Sequence, residues 1–216
     1  MPTQSKYKLL ILDYGGTYSF EYDVNSFNYI MLTSFGKVPN TIQKESITEL
    51  SHLLASASIS TDNYVARVAE ILDVTVPDTK VFEDATIEVT KNPSPEMKAL
   101  LKLAHDKGIK VSLLSNMFIF EVKKTKLTDR YDGFDYVSFS AEAELTKSNP
   151  DFFKLTLDHF GIEADKALFV DDVAEYIHTA QSLGIHTIHA DKMNYRNAAA
   201  LANSIECKLN TKLSLS

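Results

Sequence analysis

The chain contains short, almost continuous apolar runs that are each ended by polar residues. The first covers Lys8–Asp13, and three later runs cover Ile109–Leu114, Asp135–Phe139 and Ala167–Val170. A weaker fifth run covers Ile185–His189. Runs of this length that do not alternate between apolar and polar residues are typical of strands covered on both faces. The pattern therefore predicts buried strands at these five places.

Apolar residues at helical spacing fill the stretches between the later runs. Helices are predicted at Pro95–Lys107, Pro150–Phe160 and Val173–Leu183, and a glycine follows each of them. Two of these helices begin with proline, which suits the first helical position. Strands that alternate with helices of this length indicate parallel βαβ units. We therefore predict an α/β fold with a Rossmann-like parallel sheet.

The segment from residue 18 to residue 92 differs from the rest of the chain. It lacks clear buried strands, and helical patterns dominate it, as in Ser46–Ala57 and Asp62–Leu72. A helical insertion after the first strand would lie over the strand ends as a lid. We therefore predict an α/β core formed by residues 1–17 and 93–216 and a helical cap formed by residues 18–92.

Composition and charge narrow the possible classes of function. Of the 216 residues, 44% are apolar and 24% are charged, as in ordinary soluble globular proteins. The formal net charge of −7 argues against nucleic acid or an anionic membrane surface as a partner, because both favour clustered Lys and Arg. No stretch approaches the roughly 20 apolar residues of a membrane helix. The polar start at Met1–Lys8 lacks the apolar region of a secretory signal.

Cysteine content and local charge bear on compartment and substrate. Cys207 is the only cysteine, so no internal disulfide can form and we expect a cytoplasmic protein. An anionic substrate would have to be attracted by a local source of positive charge, such as a metal ion, a lysine or backbone amides. The short cluster of Lys123, Lys124 and Lys126 is interpreted as a solvated helix face. The sequence does not predict the oligomeric state.

Polar residues with catalytic potential follow four of the predicted strands. In chain order, these residues are Asp13, Ser115-Asn116, Lys147 and Asp171-Asp172. Ligands of open parallel sheets bind at the carboxyl ends of the strands, so these side chains are expected at one edge. Any one of them alone could be a loop residue, and Asp172 and Asn149 could each simply cap a helix. Their occurrence together, in this order, favours a functional site.

Four segments together resemble the motifs of the haloacid dehalogenase-like hydrolases. They are LLILDYGGT at Leu9–Thr17, VSLLSN at Val111–Asn116, LTKSNPDFF around Lys147, and ALFVDDVAEYIHTAQSLGI at Ala167–Ile185. The fourth segment with its helix is the most specific of them, whereas an isolated Asp-x-Gly-Gly-Thr would be a weak signal. The order and spacing of all four carry the resemblance, which covers the predicted core at both ends of the chain.

The resemblance implies that Asp13 is a nucleophile that forms an aspartyl-phosphate, which water then hydrolyses. A carboxylate can attack phosphorus only if the negative charge of both partners is offset, and Mg²⁺ with hard oxygen ligands does this. The implied ligands are Asp13, the Gly15 carbonyl and the Asp171-Asp172 pair. Asp172 matches a direct ligand better, whereas Asp171 either binds through water or orients Lys147.

The resemblance also implies how the phosphate group is bound. Ser115 would hold a phosphoryl oxygen, and Asn116 would add its backbone amide. Lys147 would neutralise the phosphoryl group and anchor the Asp13 carboxylate as a point charge. Gly16 would let the backbone approach the phosphate closely. The implied substrate is a small phosphorylated metabolite, hydrolysed as a phosphate monoester.

Gly15 departs from the usual phosphatase pattern, which has a second aspartate two residues after the nucleophile. That aspartate protonates the leaving oxygen, and general acid–base catalysis is typically worth about 10²–10⁴ in rate. Its absence would slow alkyl phosphates most and aryl or acyl phosphates least. Glu21 and Asp23 are candidate substitutes, with Tyr14 and Tyr18 as weaker ones, although each is more often a plain loop residue.

Two other functions remain open on the sequence. A 2-haloacid dehalogenase also lacks the second aspartate, but it needs no metal and usually has neutral residues where this chain has Asp171-Asp172. It also needs an arginine in the lid, and Arg67 is interpreted as a solvated helix residue. A non-catalytic homologue that binds a phosphorylated ligand or a protein is favoured by Gly15, whereas the intact nucleophile and lysine oppose it.

Overall fold

The computed structural model describes residues 5–20, 24–90, 92–191, 195 and 197–210. The strands within them are β1 Leu9–Leu12, β2 Lys110–Ser115, β3 Tyr136–Phe139, β4 Ala167–Asp171 and β5 His186–His189. The helices are α1 Val24–Phe35, α2 Thr41–Ala55, α3 Thr61–Leu72, α4 Thr79–Val89, α5 Pro95–Asp106, α6 Ile119–Thr125, α7 Ser140–Ala143, α8 Pro150–Phe160, α9 Ala174–Ser182 and α10 Ala198–Leu209.

The five strands form one parallel sheet in the order β3-β2-β1-β4-β5. β1 lies in the centre, where Leu12 is opposite Leu113 of β2 and Val170 of β4. The order of the strands reverses at β1, and ligands of open α/β sheets bind in the crevice beyond such a reversal. The predicted α/β fold with a Rossmann-like parallel sheet is confirmed.

β1 is buried along its whole length, which explains its unbroken apolar sequence. Leu10 and Leu12 point into a hydrophobic cluster with α5 and α10, whereas Leu9 and Ile11 point into a second cluster with α8 and α9. Successive side chains of a strand point to opposite faces of the sheet, so helices cover both faces. Full burial of each such side chain stabilises the fold by about 1.5–3 kcal/mol.

Two predicted core helices begin at the caps that the sequence provides. The Ser94 hydroxyl accepts a hydrogen bond from the Met97 N–H at 3.2 Å, and α5 begins at the next residue. The Asn149 side chain accepts one from the Asp151 N–H at 2.9 Å, and α8 follows it. The prediction for α8 is therefore confirmed, and α5 ends one residue earlier than predicted.

The helix α9 is one residue shorter at each end than predicted. Its N-cap position is Val173, which has no side-chain cap, and the Val173 N–H donates to the Asp171 carboxylate at 2.8 Å. The alternative interpretation of Asp172 as a simple helix cap is therefore wrong. The backbone of Val173 is instead held by the carboxylate of Asp171.

Helices α1 to α4, which we call the four-helix segment, share a hydrophobic cluster of their own. Buried members include Met31 of α1, Leu54 of α2, Val68 of α3 and Phe82 of α4. α3 agrees closely with the predicted helix, whereas α1 and α4 were not predicted individually. The division into a core of residues 1–17 and 93–216 and a cap of residues 18–92 stays a prediction.

The helix α2 begins five residues before the predicted start. Asn40 and Gln43 form a reciprocal capping box, with hydrogen bonds of 2.9 Å and 3.1 Å between each side chain and the other residue's N–H. The added first turn is mostly exposed, so hydrophobic spacing did not reveal it. None of the helices in the described part of the chain has the length and apolar character needed to cross a membrane.

Candidate active site

The strand ends bring the predicted site residues together. Asp13 directly follows β1, Ser115 is the last residue of β2, and Asp171 is the last residue of β4. These three strands are neighbours, so their final side chains lie side by side. Lys147 enters from the loop between α7 and α8. Ligand oxygens of Asp13, Asp171 and Asp172 all lie within 4.8 Å of one another.

Lys147 lies between two carboxylates in the floor of the site. Its Nζ donates to Asp13 Oδ1 at 2.5 Å and to Asp171 Oδ2 at 2.5 Å, and its side chain is only 3% exposed. The ammonium also lies 4.8 Å from the centroid of the Tyr176 ring, within cation–π range. Ser115 Oγ lies 3.4 Å from the same oxygen of Asp13. A charged group facing Asp13 is thus fixed in place.

Burial and neighbouring charges shift the pKa values of this group. Burial raises the pKa of Asp13 to about 7, with Lys147 opposing and Asp171 adding to the shift. Burial also raises the pKa of Asp171, although Lys147 lowers it in part. Burial alone would lower the pKa of Lys147, but the two carboxylates outweigh that effect and raise it. One ammonium thus does not offset all the acids, and a further cation would be favoured here.

The two adjacent acids have different surroundings. Asp171 is fully buried, and its two oxygens accept hydrogen bonds from Lys147 and from the Val173 N–H. Asp172 is half-buried and lines the cavity above the strand ends. Asp171 therefore holds Lys147 in position, whereas Asp172 is the acid that faces the cavity. The resemblance implies that Asp172 binds the metal directly and that Asp171 binds it through water or orients Lys147. This geometry is compatible with both roles in metal binding, which stay predictions.

Gly16 is packed directly against the Asp172 carboxylate. Its φ is +77°, and a Cβ at this position would lie 2.3 Å from Asp172 Oδ2, far inside contact distance. Its N–H donates to the Ser19 carbonyl at 2.9 Å. The phosphate contact implied for Gly16 stays a prediction. The close approach that the structure shows is to the acid, and only glycine provides both the space and the backbone conformation.

Asn116 and Tyr176 brace the site from the side. Asn116 Oδ1 accepts the Lys147 N–H at 3.0 Å, and its Nδ2 donates to the Tyr176 hydroxyl at 3.0 Å. That hydroxyl also lies 3.4 Å from His52 Nε2 on α2. The sequence predicted only a backbone role for Asn116 and no role for Tyr176 or His52. The sequence signal for Tyr176 was its position one helical turn after Asp172.

The acidic cluster fits an oxygen-ligated divalent cation. Its members, Asp13, Asp171 and Asp172, are all carboxylates, the hard ligands that Mg²⁺ prefers over softer thiolates. Gly15, whose carbonyl the sequence suggested as a further ligand, lines the same cavity as Asp13 and Asp172. Carboxylates this close repel one another unless a cation lies between them. The residues present therefore fit a resident metal ion.

A cavity of about 330 Å³ extends from the strand ends into the four-helix segment. Its floor is polar and is formed by Asp13, Ser115, Asn116, Lys147 and Asp172. Its upper walls come mainly from α1, α2 and α4, and most of their apolar side chains belong to α1, α3 and α4, whereas α2 supplies mostly polar ones. This volume is at the small end of the range for ligand pockets, roughly 300–1,000 Å³. The cavity thus joins a charged floor to an apolar upper part.

A family model for haloacid dehalogenase-like hydrolases matches residues 21–201, most of the chain. The chain belongs to this family. The match begins after Asp13, so it does not include the residue predicted as the nucleophile of this haloacid dehalogenase-like (HAD-like) hydrolase, and that role stays a prediction. The matched range does include the second, third and fourth motifs.

Solved structures share the fold of this HAD-like hydrolase. A HAD-like family hydrolase from Porphyromonas gingivalis is 19% identical with a TM-score of 0.72, covering 96% of this chain and 100% of its own. A HAD family enzyme from Bacteroides thetaiotaomicron, in complex with magnesium and inorganic phosphate, is 21% identical with a TM-score of 0.67, covering 84% and 93%. L-2-haloacid dehalogenase from Xanthobacter autotrophicus is 18% identical with a TM-score of 0.59, covering 95% and 85%. At these identities the likeness shows the fold alone.

A curated relative of this hydrolase is a much longer protein. Acyl-CoA dehydrogenase family member 10 of Mus musculus is 30% identical over 124 residues, which are 57% of this chain. The matched part is 12% of the mouse protein, so the chain spans a small fraction of its length. The similarity therefore concerns one region of that protein.

Of the four candidate substitutes for the second aspartate that this hydrolase lacks at Gly15, two lie in the described part of the chain. Glu21 and Asp23 lie outside the described residues. Tyr14 lines the cavity, but burial raises the pKa of its hydroxyl to about 12, which weakens it as an acid near neutral pH. Tyr18 is fully buried, does not line the cavity, and also has its pKa raised by burial. Tyr18 is therefore a core residue.

Glu121 is a further acid in the cavity of this hydrolase, which sequence analysis missed. It is half-buried in the first turn of α6, where Oε2 accepts the Phe118 N–H at 3.1 Å. Oε1 lies 3.1 Å from the hydroxyl of Thr90 at the end of α4. Burial raises the pKa of Glu121 to about 7. The spacing of Phe118 and Glu121, as in a capping box, was the available sequence signal.

Proposed function

We propose that this hydrolase cleaves small phosphate monoesters, with Mg²⁺ as cofactor and Asp13 as nucleophile. The observation that carries the proposal is the pairing at the strand ends. The Asp13 carboxylate is bound by the Lys147 ammonium at 2.5 Å and lies within 4.8 Å of ligand oxygens of Asp171 and Asp172. A nucleophile, a fixed positive charge and a metal-binding acid thus share the floor of one cavity.

The proposed reaction has two steps, formation of an aspartyl-phosphate and its hydrolysis. In the first, a carboxylate oxygen of Asp13 attacks phosphorus, the ester P–O bond breaks, and the leaving oxygen takes a proton from water. In the second, water attacks the phosphorus of the aspartyl-phosphate, and inorganic phosphate and the Asp13 carboxylate are released. Lys147 Nζ remains beside Asp13 throughout, where it offsets the negative charge of the transferred group. Ser115 would donate to a phosphoryl oxygen.

The residues that would hold Mg²⁺ are Asp13, Asp172 and the carbonyl of Gly15, with Asp171 behind them. When bound, Mg²⁺ supplies the positive charge that allows an anionic nucleophile to approach an anionic ester. Lys147 cannot do this alone, since Asp13 and Asp171 already share its single charge. The magnesium and phosphate bound by the Bacteroides thetaiotaomicron enzyme support the proposal.

The acidic pair favours phosphate hydrolysis over dehalogenation. Halide release develops negative charge, which the carboxylates of Asp171 and Asp172 would oppose in the absence of a metal. No arginine is found among the described residues that line the cavity. Arg67 is exposed on α3, as expected for a solvated helix residue. Chloride release from 2-chloropropionate is therefore expected to stay at background.

A non-catalytic protein that binds phosphorylated ligands is the remaining alternative, and Gly15 is the residue that favours it. Against it, Asp13 is buried and aligned between Lys147 and Ser115. A protein that only binds phosphate has no use for the negative Asp13 carboxylate beside the bound phosphate. If wild type and Gly15→Asp both fail to hydrolyse every ester while Mg²⁺ still binds, this alternative replaces the proposal.

The test measures phosphate release from sugar, aryl, acyl and nucleotide phosphates with Mg²⁺ and with EDTA. We expect release with Mg²⁺, background release with EDTA, and a loss of at least about 10³-fold in Asp13→Asn, which keeps the shape but loses the nucleophilic oxygen. Asp106→Asn, an exposed change on α5, is the control and should behave as wild type. Activity that EDTA leaves unchanged, or Asp13→Asn as fast as wild type, would contradict the proposal.

A further inference from the structure

The apolar side chains in the upper part of the cavity form one continuous surface, which we call the apolar chamber. Its members are Phe27, Ile30, Met31, Tyr64, Phe82 and Phe118. All but the last come from the four-helix segment, whereas Phe118 lies two residues after Asn116 of the polar floor. The chamber and Asp13 line the same cavity. The chamber is therefore open to the alcohol part of an ester bound at Asp13.

Three aromatic rings form one corner of the chamber. The ring centroids of Tyr64 and Phe82 are 5.1 Å apart, and Phe118 lies 6.2 Å from each of them. These distances fall within the roughly 4.5–7 Å range of favourable aromatic pairs. The three rings are tilted by 38° to 43° rather than stacked. A flat aromatic ligand can extend this cluster, because its ring would contact both the faces and the edges of these three rings.

Three hydroxyl groups of the cavity wall are already used within their own helices. Thr48, Ser51 and Thr86 each donate to the carbonyl four residues earlier, at 2.8 to 2.9 Å. A hydroxyl has one proton to donate, so these groups can offer a ligand only their acceptor lone pairs. A sugar, whose several hydroxyls each need partners when buried, would leave polar groups unsatisfied here. The wall therefore disfavours a polyhydroxylated alcohol.

Charges in the cavity disfavour a second anionic group on the substrate. Lys147 is the only lysine or arginine among the described lining residues, and two carboxylates already bind it. Glu121 adds negative charge to the wall when it is ionised. An anion buried without a partner is strongly unfavourable. The alcohol part of the ester should therefore carry neither a carboxylate nor another phosphate.

The volume limits the alcohol to about one ring. An engineered protein cavity of about 150 Å³ lined by apolar side chains binds benzene. The cavity here is about 330 Å³ and must also hold the phosphate at its floor. A phosphate and one aromatic ring fill such a space, whereas a nucleoside would exceed what remains above the phosphate.

Gly15 supports the same class of substrate independently of the shape of the cavity. No carboxyl group at this position can protonate the leaving oxygen, so an ester whose alcohol part departs readily as an anion is favoured. A phenol has a pKa of about 10, as in tyrosine. An alkyl alcohol is much less acidic and closer to water, at about 15.7. A phenolate is therefore several orders of magnitude less basic than an alkoxide, which makes it the better leaving group.

We propose that the substrate is an aryl monophosphate, the phosphate ester of a small phenol that carries no other anionic group. This inference rests on the proposed function, because it assigns the alcohol part of the same ester. The aryl ring lies in the apolar chamber while phosphorus lies at Asp13. The P–O bond to the phenol oxygen breaks as the bond to Asp13 forms, and the released phenolate takes a proton from water.

The first experiment compares kcat/KM for three phosphate esters (phenyl phosphate, cyclohexyl phosphate and glucose 6-phosphate) and one acyl phosphate (acetyl phosphate) in the presence of Mg²⁺. Phenyl phosphate and cyclohexyl phosphate have rings of similar size, and acetyl phosphate has no group large enough to fill the chamber. We expect phenyl phosphate to exceed cyclohexyl phosphate and glucose 6-phosphate by at least tenfold. If acetyl phosphate is hydrolysed but phenyl phosphate shows no such preference, the inference is wrong and the proposed function stands. If no ester is hydrolysed, the proposed function itself fails.

The second experiment uses a matched pair of variants. Phe82 lines the chamber, whereas Phe120 contacts the same aromatic cluster, 5.9 Å from Phe82, without lining the cavity. Phe82→Leu should raise KM for phenyl phosphate about five- to tenfold and leave kcat/KM for acetyl phosphate within twofold. Phe120→Leu should leave both substrates within twofold. Equal effects of the two variants on phenyl phosphate would overturn the assignment of the ring to the chamber.

A binding measurement separates the chamber from turnover. The Asp13→Asn variant is titrated calorimetrically with phenylphosphonate and with methylphosphonate, both of which lack a cleavable ester bond. We expect phenylphosphonate to bind at least tenfold more tightly, and Phe82→Leu in the same background to remove most of that difference. Equal affinity for the two phosphonates would overturn the inference even if phosphate esters are hydrolysed.

Discussion

Gly16 and Asp172 show how tightly single residues are constrained at this site. The left-handed backbone at Gly16 and its contact with Asp172 Oδ2 are two separate requirements, since one concerns φ and the other concerns space. Gly36 shares only the first of them. Its φ is +66°, and a Cβ there would meet nothing within 4 Å. The two glycines therefore form a matched pair.

Replacing each glycine by alanine separates backbone strain from displacement of the acid. Both Gly16→Ala and Gly36→Ala should lower the free energy of unfolding by about 1 kcal/mol or more, because alanine is strained at positive φ. Only Gly16→Ala should also reduce Mg²⁺-dependent phosphate release, by at least tenfold, because its Cβ displaces Asp172. Urea denaturation and phosphate-release assays measure the two effects. Equal activity of both variants would show that the position of Asp172 does not matter.

Glu121 illustrates a carboxyl group whose environment favours its neutral form. Burial raises its pKa to about 7, although Arg130 and the hydrogen bonds from Phe118 and Thr90 oppose the shift. In the unfolded chain the carboxyl group ionises near its ordinary value of about 4.3. A carboxyl with a raised pKa in the folded state contributes stability at low pH, and this contribution is lost as the pH rises through 7.

Glu121→Gln should therefore become more stable relative to wild type as the pH rises. We expect the difference in unfolding free energy between variant and wild type to shift in favour of glutamine from pH 5 to pH 8. Other titrating groups are common to both proteins and cancel in this difference. Urea denaturation at each pH gives the values, with the exposed Glu45→Gln as control. A difference that does not change with pH would show that Glu121 titrates normally.

At the scale of elements, α9 links the strand ends to the four-helix segment. Tyr176 accepts a hydrogen bond from Asn116 and lies 3.4 Å from His52 of α2, while its ring lies against Lys147. A second link lies nearby, where the buried Ser140 hydroxyl donates to the Ala55 carbonyl at 2.7 Å. The position of α2 over the site therefore depends on polar contacts from two core elements.

Tyr176→Phe removes the shared hydroxyl and keeps the ring. We expect KM for phosphate esters to rise about three- to tenfold with a smaller change in kcat, because Lys147 remains while Asn116 and His52 lose their common partner. The loss of one such hydrogen bond is worth about 1 kcal/mol. Tyr7→Phe is the control, since the Tyr7 hydroxyl is buried without a hydrogen-bond partner in the described part of the chain. Unchanged kinetics in Tyr176→Phe would remove the proposed link.

The elements of the core were easier to predict than those of the four-helix segment. Strands such as β1 are buried on both faces, so an unbroken apolar run was sufficient to find them. Ser94 and Asn149 marked the starts of α5 and α8 through side-chain caps. α1 has no acidic residue in the first turn and no basic residue in the last turn, so its ends carry no charge signal. α4 does have a cap, Asp78, but no charge in either end turn supports it.

At the scale of the whole molecule, the fold gathers part of the acidic charge at the strand ends. Three carboxylates meet at the strand ends with one lysine, although the carboxylates repel one another and this repulsion would be weaker if they lay further apart. A cation bound there would stabilise the folded state, because the unfolded chain does not hold these acids together. Stability and metal binding should thus be linked.

Adding Mg²⁺ should raise the melting temperature by several degrees. At 100 times the Kd, binding to the folded state alone adds about 2.7 kcal/mol. Asp172→Asn should lose most of this gain, and without metal it should melt no lower than wild type, since one repelling charge is gone. Asp106→Asn, on the surface of α5, should keep the full gain. Differential scanning fluorimetry over a Mg²⁺ series measures the shift, and an equal gain in all three proteins would contradict this account.

The sequence by itself determined the parallel α/β sheet and the set of polar residues that follow its strands. It could do so because burial on both faces leaves a continuous apolar run, and because the strand ends of a parallel sheet share one edge. Only the tertiary structure decided what these residues contact. The fit of Gly16 against Asp172, the brace of Asn116 and Tyr176, and the chamber around Phe82 all join residues far apart in the chain. Such contacts depend on distances in space, which hydrophobic spacing along the chain does not record.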